Sequence, residues 1–182
     1  MRLIKKTVVL FLTAIFMLTL LTDCAAWHKL KWNEFQLEDA GLSLQIPGKP
    51  RHFRMSASSS LVQEEYDQWT VIDEHSNQQF FIIIAKYDQN KYAGFSADDL
   101  LDSVERPPIG FLKAAKEISR QRILDKSYLL EEQTWQLEKR TNRALSHIYI
   151  YDGRIIELIY MYSIADKVSD AGAVFFDSLV IE

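Results

Sequence analysis

Chemistry in a protein begins with thiols, imidazoles, carboxylates and hydroxyls held at useful spacings, and this chain offers few of them. Its four histidines, His28, His52, His75 and His147, are scattered too widely for a metal signature on one helix or strand, and no pair has the close spacing of a zinc site. His147 is expected to be a packed or edge-exposed imidazole rather than a ligand. Asp98, Asp99 and Asp102 could gather a hard cation, but their place in a first helical turn favours compensation of the helix dipole. Glu64 and Glu65, like Glu131 and Glu132, are adjacent and diverge on any regular element, which disfavours a paired acid and base. There is no Gly-x-Ser-x-Gly elbow and no phosphate-cradling glycine loop. No catalytic residue, metal ligand or cofactor is therefore assigned, and a triad assembled from distant Ser, His and Asp stays open.

The side chains best suited to binding are aromatic: Tyr149, Tyr151, Tyr160 and Tyr162, with Trp135 upstream. Tyrosine joins a large apolar face to a polar tip and is frequent at interfaces. The competing expectation is that these rings fill the space between a sheet and a helix.

The only cysteine, Cys24, stands where an apolar run ends. Arg2, Lys5 and Lys6 precede 16 uncharged residues from Thr7 to Thr22, the layout of a secretory signal. A membrane-spanning helix needs about 20 apolar residues, so this run is short for an anchor. The string LLTDC followed by AAW resembles a bacterial lipobox, in which the cysteine thiol receives diacylglycerol and becomes the first residue of the mature protein. Asp23 departs from the small residue usual before that cysteine, and the alternative is ordinary cleavage after Ala26. Cys24 is thus the expected lipid attachment residue, and export is expected by either route, to an envelope membrane or as a periplasmic or secreted protein.

Three segments follow: a signal over residues 1–23, a membrane-proximal spacer over 24–40, and a single domain over 41–182. The mature part keeps 18 of the 21 basic and 24 of the 25 acidic residues, a formal net charge of −6. That balance disfavours nucleic acid as a partner, since phosphate recognition relies on clustered Lys and Arg. With 48% hydrophobic residues, six glycines and four prolines, the chain is globular rather than disordered. With no second thiol, disulfides cannot hold it together.

Leu42, Leu44 and Ile46 alternate with Ser43 and Gln45, predicting a half-buried strand ended by Pro47 and Gly48. Residues 61–74 extend next, and Phe80 to Tyr87 is a nearly continuous apolar run that suits a strand covered on both faces. Ser96 caps a predicted helix with Leu100, Leu101 and Val104 inward. Pro107 and Pro108 interrupt it, and a second helical piece is predicted through Ile109, Leu112 and Ala115. Arg120–Leu124 and Thr134–Lys139 read as further strands. Asp152 and Gly153 suit a type I′ turn, which places Tyr151 opposite Arg154, Ile150 opposite Ile155 and Tyr149 opposite Ile156. Both faces of that hairpin are apolar. A last helix from about Asp166 to Ser178, with Val168, Ala171 and Phe175 inward, is expected to cover one of them, and Val180 and Ile181 return as a short strand. The fold class predicted is α+β, an antiparallel sheet flanked by helices.

The strings LSLQIPGKPR, SADDLLDS, DGRIIELIY and FFDSLVIE, in this order over Gly41 to Glu182, resemble the PsbP-like and DcrB-like proteins. That resemblance implies an α/β/α sandwich and a non-enzymatic accessory or binding role in the cell envelope. Leu179 stands where the family usually has an aromatic residue, and the segment between Tyr128 and Arg143 lacks the usual glycines. Three functions compete: an envelope lipoprotein that binds another envelope protein, a secreted domain with a small-ligand pocket near Pro107 and Pro108, and a hydrolase whose site is not visible in sequence.

Overall fold

The computed structural model describes residues 30–56, 62–74, 76–103, 115–124, 129–137, 142–164 and 170–181. The signal segment, Cys24, Trp27, His28, His75, Pro107, Pro108, Ile109, Leu112, Asp166 and Val168 lie outside them.

Among the described residues, ten strands form two antiparallel sheets. In the smaller, β2 (Leu42–Pro47) lies between β1 (Trp32–Leu37) and β10 (Val180–Ile181), with Val180 opposite Ser43 and Ile181 opposite Leu42. The larger sheet has the order β3 (Arg51–Ser56), β4 (Val62–Asp73), β5 (Gln78–Tyr87), β9 (Arg154–Ser163), β8 (Asn142–Tyr151), β7 (Leu129–Leu137) and β6 (Ala115–Leu124). β8 and β9 form the predicted hairpin. Asp152 and Gly153 both take positive φ, 42° and 70°, as a type I′ turn requires, and the register is the expected one, Tyr151 to Arg154 and Tyr149 to Ile156.

The large sheet buries both faces because its central strands are apolar on both. On one face Phe81, Ile83, Ile148, Ile155, Ile159 and Met161 pack beneath Leu100 and Leu101 of α1 (Ala97–Ser103). α1 starts as predicted: Ser96 Oγ accepts from the Asp99 N–H at 3.1 Å, and Asp99 Oδ2 accepts from the Ser96 N–H at 2.9 Å. On the opposite face Phe80, Ile82, Ile156, Leu158 and Tyr160 meet Leu42, Leu44 and Ile46 of β2, together with Ala171, Phe175 and Phe176 of α2 (Ala171–Asp177). These are called below the α1 face and the small-sheet face.

An antiparallel sheet flanked by helices, as in an α/β/α sandwich, does not form. The described residues are mostly strand, with two seven-residue helices and a 3₁₀ turn at Glu38–Ala40. Seven residues make about two helical turns, too little to cover a seven-stranded face. The alternating apolar stripe of β2 supplies that cover on one side instead. α2 starts at Ala171, and Ala115, expected in a helix, opens β6. β1 falls within the stretch expected as a spacer: Trp32 packs edge-on against Phe80 at 5.7 Å and Phe35 against Trp69 at 6.2 Å.

Candidate functional site

Where β1 enters and β2 leaves, the two sheets part and leave a cleft of about 390 Å³. One wall is Leu30, Lys31, Pro47, Gly48 and Lys49, and the other is the β3–β4 ribbon through Arg51, Phe53 and residues 70–74. The first wall is built rather than incidental. The Gly48 N–H donates to the Lys31 carbonyl at 3.0 Å, and Asn33 Nδ2 donates to the carbonyls of Lys31 and Gly48, each at 3.2 Å. Gly48 holds φ +77°, a left-handed conformation that strains any residue with a side chain.

The charges of this cleft are uneven. Lys31, Lys49 and Arg51 are exposed and form no ion pair among the described residues. Of the two acids present, Asp73 accepts a hydrogen bond from Ser76 Oγ, and Glu74 is exposed. β3 borders the cleft as an edge strand exposed along its whole length. Its two sides differ. His52 stacks on Trp69 at 4.6 Å and bonds Asp67 at 2.8 Å, while Arg54 reaches Asp67 and Glu65 at 3.5 and 3.8 Å. Arg51, Phe53 and Met55 alternate onto the other side and stay open, Phe53 at 44% exposure and Met55 at 40%, with Ile72 of β4 at 55%. An apolar floor under unpaired cations can bind an amphiphile that carries negative charge.

A second arrangement is hidden. Glu157, midway along β9, points into the α1 face between Ile83 of β5 and Ile148 of β8 and is 3% exposed. Ser146 Oγ donates to its Oε1 at 2.7 Å. Burial pushes the carboxyl up to about 7, against the smaller opposing pull of that hydrogen bond. Tyr66, on the same face, is raised by its own burial and then by the Glu157 charge. Across the sheet Gln133 stands opposite Ser146, and its Oε1 accepts from Trp135 Nε1 at 3.1 Å. Glu157 can hold or release a proton near neutrality, yet it lines neither this cleft nor a second one, about 420 Å³, between residues 86–90 and 152–154.

The expected binding residues separate. Tyr149, Tyr151, Tyr160 and Tyr162 share the small-sheet face, where Tyr160 stacks on Phe80 and Tyr162 at 5.1 and 5.3 Å; Tyr149, Tyr160 and Tyr162 are buried and Tyr151 half-buried. Trp135 is fully buried on the opposite face. His147 stacks on Phe176 at 3.8 Å, and burial lowers it to about 4 against the pull of Asp177. Asp98 and Asp102 both pair with Arg122 of β6, at 3.0 and 2.5 Å, and among the described residues no three His, Cys, Asp or Glu side chains converge on a metal position. Lys31 was read from sequence only as part of a membrane-proximal spacer, and Lys49 and Arg51 were not singled out; PGKPR, with one cation on each side of Pro50, was the available signal. For Glu157 the signal was a lone charge inside IIELIYMY.

The chain matches no known family profile and no curated protein. Among solved structures it is similar to the solution structure of cyanobacterial PsbP (CyanoP) from Synechocystis sp. PCC 6803, with a TM-score of 0.56 and 10% identity. The match covers 87% of this chain and 97% of that one. The fold is thus PsbP-like, in a form dominated by strands.

Proposed function

We propose that this chain is an exported envelope lipoprotein of non-enzymatic, accessory type, tethered through Cys24 and acting by binding at the end of the domain where the tether enters. The observation that carries the reading is the cleft. Leu30 and Lys31 line it, six and seven residues beyond Cys24, and its three cations have no ion pair among the described residues. Kinship with the PsbP-like and DcrB-like lipoproteins belongs to this reading and is supported by the PsbP-like fold together with the LSLQIPGKPR and FFDSLVIE strings. An envelope protein is the partner class that kinship implies. The test is replacement of Cys24 by Ala, with acyl labelling and membrane fractionation. Loss of label and release from the membrane support the tether. Unchanged membrane association with no label on the parent chain overturns it.

The cleft also favours a second reading, a secreted domain that binds a small ligand there, because its volume falls within the roughly 300–1,000 Å³ usual for such sites. A thermal-shift screen of anionic amphiphiles tests it. A ligand at a hundred times its dissociation constant adds about 2.7 kcal/mol of stability, and the shift must vanish in an Arg51→Ala, Lys49→Ala variant.

A further inference from the structure

We infer that the cleft formed by Lys31, Lys49, Arg51 and the β3–β4 ribbon docks the domain onto the anionic headgroups of a phospholipid bilayer. The inference deepens the tethered reading and rests on it for distance alone. Six residues from Cys24 to Leu30 span at most roughly 20 Å when fully extended. A lipid on Cys24 therefore confines the cleft to within about two Debye lengths of the headgroups, since that length is ~10 Å at ordinary ionic strength.

Charge then selects the face. The chain beyond Asp23 carries a formal net charge of −6, so most of its surface is repelled by an anionic leaflet. Lys31, Lys49 and Arg51 are exposed together, Lys49 and Arg51 on either side of Pro50, and although Asp73 and Glu74 line the same cleft, no carboxylate is bound to these cations among the described residues. Phe53 and Ile72, both open to solvent in the same cleft, supply the apolar side chains that sit at headgroup depth beside such cations. An acidic protein segment meets the same cations, but nothing holds it nearby as the tether holds the bilayer.

Flotation with vesicles tests this. Every strand and helix among the described residues lies between Trp32 and Ile181, so a chain beginning at Ala25 retains them and carries no lipid. It is mixed with vesicles of phosphatidylcholine alone or of phosphatidylcholine with phosphatidylglycerol. Binding is expected only to the second kind and is expected to weaken steeply as salt is raised. Each basic residue near such a surface contributes about fivefold, so the Lys31→Ala, Lys49→Ala, Arg51→Ala variant is expected to bind roughly 100-fold more weakly, while Lys116→Ala on the far edge strand changes binding less than about twofold. Unaltered binding by the triple variant, equal binding to both vesicles, or no binding to either overturns the inference. Because the fragment lacks Cys24, each result is independent of the acylation test, and a labelled Cys24 with no vesicle binding leaves the tether standing and the docking site refuted.

Discussion

The two faces of the central hairpin are built from neighbouring residues of the same strands, yet they are finished in opposite ways. The small-sheet face is a continuous aromatic layer: Phe80 touches Trp32, Tyr160 and Phe175 at 5.7, 5.1 and 5.3 Å. Aromatic contacts of this kind contribute roughly 0.5–1.5 kcal/mol each beyond area burial. The α1 face has a carboxyl at its centre, with Ser146, Gln133 and Tyr66 around it, and its helix is one element of seven residues. A second sheet can seal a face with dry packing, whereas a short helix leaves polar groups that must satisfy one another. The first face fixes the fold and keeps an imidazole neutral against Phe176, and the second buries a carboxyl that binds its proton more tightly.

The strongest way to break that comparison is to empty the aromatic layer. Phe80→Ala removes a fully buried ring that three other rings contact and is expected to cost about 3–5 kcal/mol in denaturant unfolding. A loss under about 1 kcal/mol means the layer does not carry the fold.

The next effect separates the faces by pH. Glu157 holds its proton more tightly in the fold, about 7 against the ordinary 4.5, so its ionisation lowers stability progressively as pH rises from about 4.5 to about 7. His147 binds its proton more weakly, about 4 against 6.5, so stability is lost as pH falls from about 6.5 to about 4. At about 1.4 kcal/mol per pKa unit each term reaches roughly 3 kcal/mol, and the two oppose between about 4.5 and 6.5, leaving the parent nearly flat there. Glu157→Gln, which keeps an acceptor for Ser146, is expected to unmask stability that climbs with pH across that window. His147→Gln is expected to unmask the reverse slope. Parallel curves for parent and Glu157→Gln would place the carboxyl in water.

Much of the small-sheet face was legible because local geometry specifies it. The Asp152–Gly153 turn sets the β8–β9 register, and period-2 alternation then assigns every hairpin side chain to a face. The FFIIIA run gave β5, and the alternation of Leu42, Leu44 and Ile46 gave β2. What no local signal carries is which elements meet. β9 pairs with β5 across some 70 residues of chain, and the face of Trp135 depends on the β7 register, for which the sequence carries no Asn-Gly or Asp-Gly turn signal. The cleft joins residues before β1, after β2 and along β4, so its three cations look unrelated in sequence. Helical content was overread because the AGAVFFD stripe marks an inward face without stating how far the helix continues.

A smaller effect tests how closely the aromatic layer fits. Gly172 in α2 lies against Tyr160, and an added Cβ would come within 2.8 Å of the ring. Gly172→Ala gains helix propensity but must displace a fully buried tyrosine, and overpacking of this kind costs about 1–3 kcal/mol. Thermal unfolding is expected to move down. An upward shift would show slack where the face is described as tight.

The smallest effect is expected on the opposite face. Arg122 ties α1 to β6 through Asp98 and Asp102, whose side chains are about two-thirds exposed. Ion pairs in such solvent are worth about 0–1 kcal/mol, so Arg122→Ala is expected to change stability by less than about 1 kcal/mol and to lose even that in high salt. Leu100 and Leu101, not the ion pairs, then hold α1 on the sheet. The discriminating measurement is hydrogen exchange of the α1 amides in Arg122→Ala. Faster exchange confined to α1, with β9 unchanged, fits a helix that opens separately from the sheet beneath it. Loss of protection in both at once would mean that the α1 face is as cooperative as the aromatic layer opposite.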